Sequence, residues 1–299
     1  MSVPTAPSSG LPEFSSLRAP GYSAALKTLR VGVDETGVAQ VLLNRASKMN
    51  SLSMGMFQEL RTLFEQLSSD DDVRCVMLLG GECRMFSAGI DLETLTSMAP
   101  KREKDVARDA IAMTRGIKMM QEAFLAVRRC TKPVIGVAYK MCIGAALELL
   151  SACDIRYCTA DCVLSIREPR MGLAADLGAL QRMPRLANGN SSLLTVLAYT
   201  GRDFTGAVAD QKLGFCETLD SNDKSELEGM AYKTAMEISS LSPVAVYGTK
   251  QTLLYSAENS EEQGLEFVRN LNGALLQSDD LMKAVQASMT KRRPSFSKL

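Results

Sequence analysis

Residues 132–178 read KPVIGVAYKMCIGAALELLSACDIRYCTADCVLSIREPRMGLAADLG, and this stretch decides the fold. Three acids stand in it among apolar neighbours: Glu148, Glu168 and Asp176. An ionised carboxylate is costly to bury without partners. An acid inside IGAALELLSA therefore has to be accounted for, and proton transfer within a pocket accounts for all three. VIGVA, at 134–138, reads as a short buried strand, being apolar and β-branched at its start. Residues 143–152 read as a helix rich in Ala and Leu, opened by Gly144. Ala145 and Glu148 are three apart and share a helix face. Helix N-termini present free N–H groups and the positive end of the dipole. The Ala145 N–H is thus placed to hold a developing oxyanion while Glu148 points into the same pocket. The other reading of Glu148 is a helix-face glutamate in a salt bridge.

Working outward, a second glycine turn has similar features. MFSAGIDL, at 85–92, follows the apolar run 73–79 and the pair Gly80-Gly81. A strand, a loop and small residues let backbone approach a ligand closely. The turn supplies Ala88, Gly89, Ile90, Asp91 and Leu92 as substrate-binding candidates, beside Ala145.

FSAGIDL, then KPVIGVAYKMCIGAALELLSACDIRY, then REPRMGLAADLGALQRMPRL together resemble the enoyl-CoA hydratase/isomerase (crotonase) superfamily. GLAADLG, with a glutamate before it and SACDIRYC upstream, is most similar to the Δ3,5-Δ2,4-dienoyl-CoA isomerases. The similarity runs from about Leu29 to the C-terminus with the motifs in order. It implies an α/β fold: a spiral of ββα units, then helices that cover the active site and build a trimer, often paired into a hexamer. It also implies two backbone N–H groups on a thioester oxygen, mapping to Ile90 and Ala145. Three carboxylates would line the acyl chain, at Glu148, Glu168 and Asp176. Glu168 and Asp176 take the roles of base and acid, and Glu148 orients or polarises them. Coenzyme A enters as part of the acyl-CoA substrate, with no separate cofactor and no metal.

The chain departs from the family pattern in two places. The usual Gly-Gly-Gly before the helix is Gly144-Ala145-Ala146, which keeps the N–H groups but adds two methyl groups that narrow the approach. Glu148 stands where dienoyl isomerases usually carry Asp and hydratases carry Glu. Asp176 points the other way, because hydratases typically have glycine there. Two alternatives stay open: an enoyl-CoA hydratase with Glu148 and Glu168 positioning water, and a catalytically silent acyl-CoA-binding member.

Composition narrows the chemistry. The chain has 299 residues and no histidine, which excludes Ser-His-Asp and Cys-His catalysis and His-based metal sites. Acid–base work falls on Asp, Glu, Lys, Tyr or Cys. The eight cysteines form no CxxC pair and read as reduced core thiols rather than zinc ligands. Lys+Arg 34 balance Asp+Glu 34, so nothing points to nucleic acid or an anionic surface as a partner. The longest apolar region, 134–153, is broken by Lys140 and Glu148 and reads as strand plus helix, not a membrane span. Ser297, Lys298 and Leu299 form the SKL tripeptide, an address read by the peroxisomal import receptor. A peroxisome, or a peroxisome-like organelle such as the glycosome, is the expected compartment.

In chain order, 1–21 is rich in Ser, Pro and Ala and is expected to be a flexible leader. The spiral core is expected over 22–222, a helical region over 223–291, and a tail carrying the tripeptide over 292–299. The runs 29–33 and 38–44 predict a β-hairpin. Arg45 and Lys48 follow it and are candidates for the CoA moiety, or else solvated loop charges. Ser53 predicts an N-cap for a helix over 54–68. The mixed, charged segment 94–107 is expected to be mobile. Ile111, Ile117, Met120, Phe124 and Val127 have helical spacing. Strands are expected over 155–159 and 163–166, and helices over 180–186, 191–199, 205–212, 224–240, 244–256, 261–276 and 280–289.

Overall fold

A computed structural model describes residues 10–97, 105–186, 189–219 and 221–299. The first nine residues of the expected leader, and 98–104 of the segment expected to be mobile, lie outside them. The nine strands are β1 (Leu29–Val33), β2 (Val38–Leu43), β3 (Cys75–Leu79), β4 (Val134–Ala138), β5 (Met141–Ile143), β6 (Ile155–Thr159), β7 (Val163–Ser165), β8 (Phe204–Thr205) and β9 (Glu217–Leu219) among the described residues. The helices are α1 (Met54–Ser69), α2 (Leu92–Ser97), α3 (Val106–Arg129), α4 (Ala145–Ala152), α5 (Ala179–Leu186), α6 (Ser191–Thr200), α7 (Gly206–Gln211), α8 (Lys224–Ser239), α9 (Pro243–Ser256), α10 (Glu261–Leu275) and α11 (Asp280–Met289).

A six-stranded sheet runs β1-β2-β3-β4-β6-β9, antiparallel at the β1–β2 hairpin and parallel from there on. Alternation along β3 shows how its two faces are covered. Val76 and Leu78 face the core made with α1, α3 and α4, while Cys75, Met77 and Leu79 face the core made with α8. Parallel strands buried on both faces need continuous apolar runs, and β3 and β4 supply them as CVMLL and VIGVA. All eight cysteines are buried free thiols, and seven of them, all but Cys83, belong to these two cores.

A second sheet, β5-β7-β8, stands beside the first. Residue 143, expected to open the catalytic helix, instead ends β5, pairing with Ser165 of β7. Gly144, at φ 56°, then turns the chain into α4. Two very short strands, β8 and β9, fall where the sequence predicts only helices and breaks. Thr94–Ser97, inside the segment expected to be mobile, belongs to α2, and the Thr94 hydroxyl accepts the Met54 N–H at 3.2 Å. Residues 10–21 of the expected leader are fastened to the sheet. Leu11 and Phe14 pack against the α8 core, and Arg18 exchanges backbone hydrogen bonds with Val33.

Candidate active site

The Met85–Leu92 turn and the start of α4 lie side by side. The Ser87 N–H donates to Met141 O at 3.1 Å and the Ile143 N–H donates to Ser87 O at 3.4 Å. Gly89, at φ 92°, is where they touch: a Cβ there would lie 2.5 Å from Ile143 O and 3.7 Å from Ala145 N. Only glycine allows that approach. Neither the Ile90 nor the Ala145 N–H has a protein acceptor among the described residues. Ala145 is the first residue of α4, so its N–H is one of the helix's orphan donors. The Ala145 methyl borders the cavity, whereas Ala146 is fully buried in the core, so only one of the two added methyl groups narrows the approach.

These donors open onto a cavity of about 680 Å³. Ala88, Gly89, Ile90, Leu92, Ala145, Glu148, Glu168 and Asp176 all line it. Its far wall is apolar, made by Leu95 of α2, Met113, Ile117 and Met120 of α3, and Leu173. Asp91 is not part of the lining. Its carboxylate turns back to pair with Arg45 at 2.8 Å and accepts the Glu93 N–H at 2.9 Å. Arg45 is thereby committed to Asp91, and Lys48 lies 3.8 Å from Glu93 on the exposed surface.

The three acids come from three different supports. Glu148 projects from α4 and is buried. Among the described residues it makes no salt bridge; its Oε1 accepts the Leu177 N–H at 3.0 Å and the Ala179 N–H at 3.2 Å. Glu168 opens a single helical turn, Glu168–Met171, with Pro169 at its second position and Gly172 closing it at φ 77°. The Glu168 Oε2 is buried without a hydrogen-bond partner among the described residues, and Gly144 leaves room for Oε1, where a Cβ would lie 3.0 Å away. Asp176 is half-buried in the loop before α5, and the Gln121 amide donates to its backbone oxygen at 2.7 Å.

Burial shifts all three towards the protonated form. Glu148 is raised to about 7 by burial and by the nearby Glu168, against the pull of its two N–H donors. Burial, with Asp176 adding to it, raises Glu168. Asp176 is raised by burial alone. Carboxylates that share a cavity and resist ionising together can divide acid and base roles between them.

Asn50 and Gln121 were not legible as site residues. Asn50 is fully buried at φ 52°. Its amide donates to Gly80 O at 2.7 Å and Phe86 O at 3.0 Å, and its backbone oxygen accepts the Ser87 hydroxyl at 2.7 Å. The Ser87 hydroxyl in turn accepts the Gly89 N–H at 3.1 Å, so Asn50 braces the turn that presents Ile90. The one signal was an asparagine in a loop, a residue type that tolerates the left-handed region.

Residues 34–298 match the model of the family described as enoyl-CoA hydratase/isomerase. The Δ3,5-Δ2,4-dienoyl-CoA isomerase of Arabidopsis thaliana peroxisomes is 40% identical over 276 residues, covering 92% of this chain and 97% of that protein. The human mitochondrial Δ3,5-Δ2,4-dienoyl-CoA isomerase is 40% identical over 289 residues, covering 94% and 85%. The crystal structure of an enoyl-CoA hydratase from Bacillus anthracis superposes with a TM-score of 0.78 at 24% identity, over 91% of this chain and 99% of that one, a likeness of fold. By sequence over nearly its whole length, and by a fold in which two turns meet at a pair of free N–H groups, the chain belongs to the enoyl-CoA hydratase/isomerase family.

Proposed function

We propose that this protein is a Δ3,5-Δ2,4-dienoyl-CoA isomerase. The observation that carries the reading is the third carboxylate: Asp176 lines the same cavity as Glu148 and Glu168. Isomerisation moves two conjugated double bonds. A proton leaves C2 to one carboxylate, charge passes to the thioester oxygen as a dienolate, and a second carboxyl group gives a proton to C6. The Ile90 and Ala145 N–H groups receive the oxygen's charge. Glu168 and Asp176 are the base and acid. Glu148, with Oε1 spent on two backbone N–H groups, orients the Asp176 loop. Coenzyme A enters with the substrate, and nothing in these proton transfers calls for a further cofactor.

The SKL tripeptide supports a peroxisomal or glycosomal home; the relatives at 40% identity are named for peroxisomes and for mitochondria alike, so the tripeptide alone carries this reading. Exposed Leu253, Leu265, Leu281 and Met282 on the C-terminal helices support a trimer-based assembly. Product analysis tests the activity. A 3,5-dienoyl-CoA should convert to the 2,4-diene with a shift in diene absorbance. A 3-hydroxyacyl-CoA product from an enoyl-CoA, without diene shift, would mean a hydratase, and binding without turnover a silent member.

A further inference from the structure

Arg182, in α5, is buried, and among the described residues its hydrogen bonds go to neutral oxygens alone. Its Nε donates to Ser151 Oγ at 2.9 Å; its Nη2 donates to Glu148 O at 2.9 Å and to Leu177 O at 2.8 Å. A buried cation without a bound carboxylate is expensive, and a helix needing only packing is served better by an apolar residue. The backbone is also cleared to seat it: Gly178 is at φ 115°, and a Cβ there would overlap the guanidinium. Two acceptors of this fork belong to, or adjoin, the proton-transfer set. Glu148 O is the carbonyl of one acid, and Leu177 O belongs to the residue after another. The Leu177 peptide is therefore gripped at both ends, its N–H by the Glu148 carboxylate and its C=O by Arg182, while Gln121 holds the Asp176 carbonyl.

The charged and titratable groups facing Arg182 are Glu148 of α4, Cys153 just after α4, and Arg128 of α3. Glu148 is itself faced by Glu168 and Asp176, and Glu168 by Asp176 and Arg167. Burial lowers Arg182 to about 10, with Glu148 drawing it back up, so it remains a cation at neutral pH. A fixed positive charge beside carboxylates favours their ionised form. We propose that Arg182 is a positioning residue for proton transfer: it locks the Asp176 loop to the backbone of Glu148, and its charge favours the ionised Glu148 carboxylate whose Oε1 accepts the Leu177 and Ala179 N–H groups of that loop. The inference rests on the isomerase reading above.

Full-length Arg182→Met and Arg182→Lys test it, with diene isomerisation followed against pH and the protonated-carboxyl infrared band of the ligand-free protein titrated in parallel. In Arg182→Met, the acid limb of kcat should move up by about one pH unit, with the carboxyl titration moving alongside it. Its kcat at neutral pH should fall at least about tenfold with KM nearly unchanged. Arg182→Lys should restore the acid limb but not kcat, since an ammonium keeps the charge and loses the planar fork. Wild-type acid limb and carboxyl titration in folded Arg182→Met, or a loss confined to KM or melting temperature, would overturn the proposal. If Arg182→Met does not fold, Arg182→Lys decides alone: wild-type kcat in it overturns the positioning role. Wild-type protein without diene isomerisation would instead defeat the isomerase reading, and the infrared titration would still judge the charge effect.

Discussion

The Glu148 carboxylate and the Leu177 N–H meet at 3.0 Å across 29 residues of chain, so one acid of the cavity holds the backbone next to another. The Ala179 N–H completes the arrangement at 3.2 Å. The Ala179 N–H, the first of α5, is one that a local cap could take, and it is satisfied from α4 instead. Asp176 is thereby relieved of capping, and its carboxyl is left to the cavity.

Asp176→Asn should therefore cost activity and not stability. Loss of a general acid or base typically costs about a hundredfold or more, and isomerisation should fall by at least that much. The melting temperature should barely move, because no cap is lost. Near-wild-type isomerisation by the folded variant would remove Asp176 from the mechanism.

Ala145→Pro deletes one of the two proposed oxyanion donors with little disturbance of the fold. Proline is tolerated at the first helical position, where its missing N–H breaks no helix bond. Gly144 before it is already outside the helical region, at φ 56° and ψ −125°. The expected result is a folded protein with kcat reduced roughly a hundred- to thousandfold. Unchanged kcat would take Ala145 out of the oxyanion site.

Glu148 should leave a mark on stability against pH. Its carboxyl is raised from 4.5 to about 7, so the folded state binds the proton more tightly than the unfolded chain. Stability from this group is then full below the ordinary carboxylate range and declines as pH rises to about 7, flattening above it. The decline should be on the order of 3 kcal/mol, from the size of the shift. Glu148→Gln removes it, while the amide oxygen can still accept the Leu177 and Ala179 N–H groups. Denaturant titrations across this window should show a slope in wild type that the variant lacks; parallel curves would refute the assignment.

Assembly is the fourth test. Leu253, Leu265, Leu281, Met282 and Met289 are exposed along α9, α10 and α11, and Leu276 just after α10. Sedimentation should find trimers or hexamers at micromolar concentration, and a Leu281→Lys/Met282→Lys double variant should shift them towards monomer. A monomeric wild type would contradict the proposed assembly.

Much of this site could be read from residue order because its chemistry is local. An acid within an apolar helix, a glycine turn after an apolar strand and a run such as GLAADLG each carry their own signal. What could not be read depends on contacts far apart in sequence. Ile143 looks helical until β5 finds β7, a pairing that needs residues 163–165. That Asp176 is spared capping depends on Glu148, an acceptor on another helix. Arg182, within ALQRMPRL, looks like an ordinary surface charge; only packing reveals it to be buried. Residues 10–21 are polar and proline-rich, yet a few apolar side chains and the Arg18–Val33 pairing suffice to attach them.

The buried cysteines have a practical consequence. Thiol reagents and peroxides attack thiolates they can reach. Burial raises the thiols of Cys75, Cys130, Cys142 and Cys153, and none of the eight is exposed. Folded protein should accordingly be inert to alkylation, each cysteine reacting only when its own region opens. Spread from β3 through the central strands to the edge of β9, the eight thiols form a set of native clocks. Their separate labelling rates would show which parts of the spiral breathe and which wait for the whole to unfold.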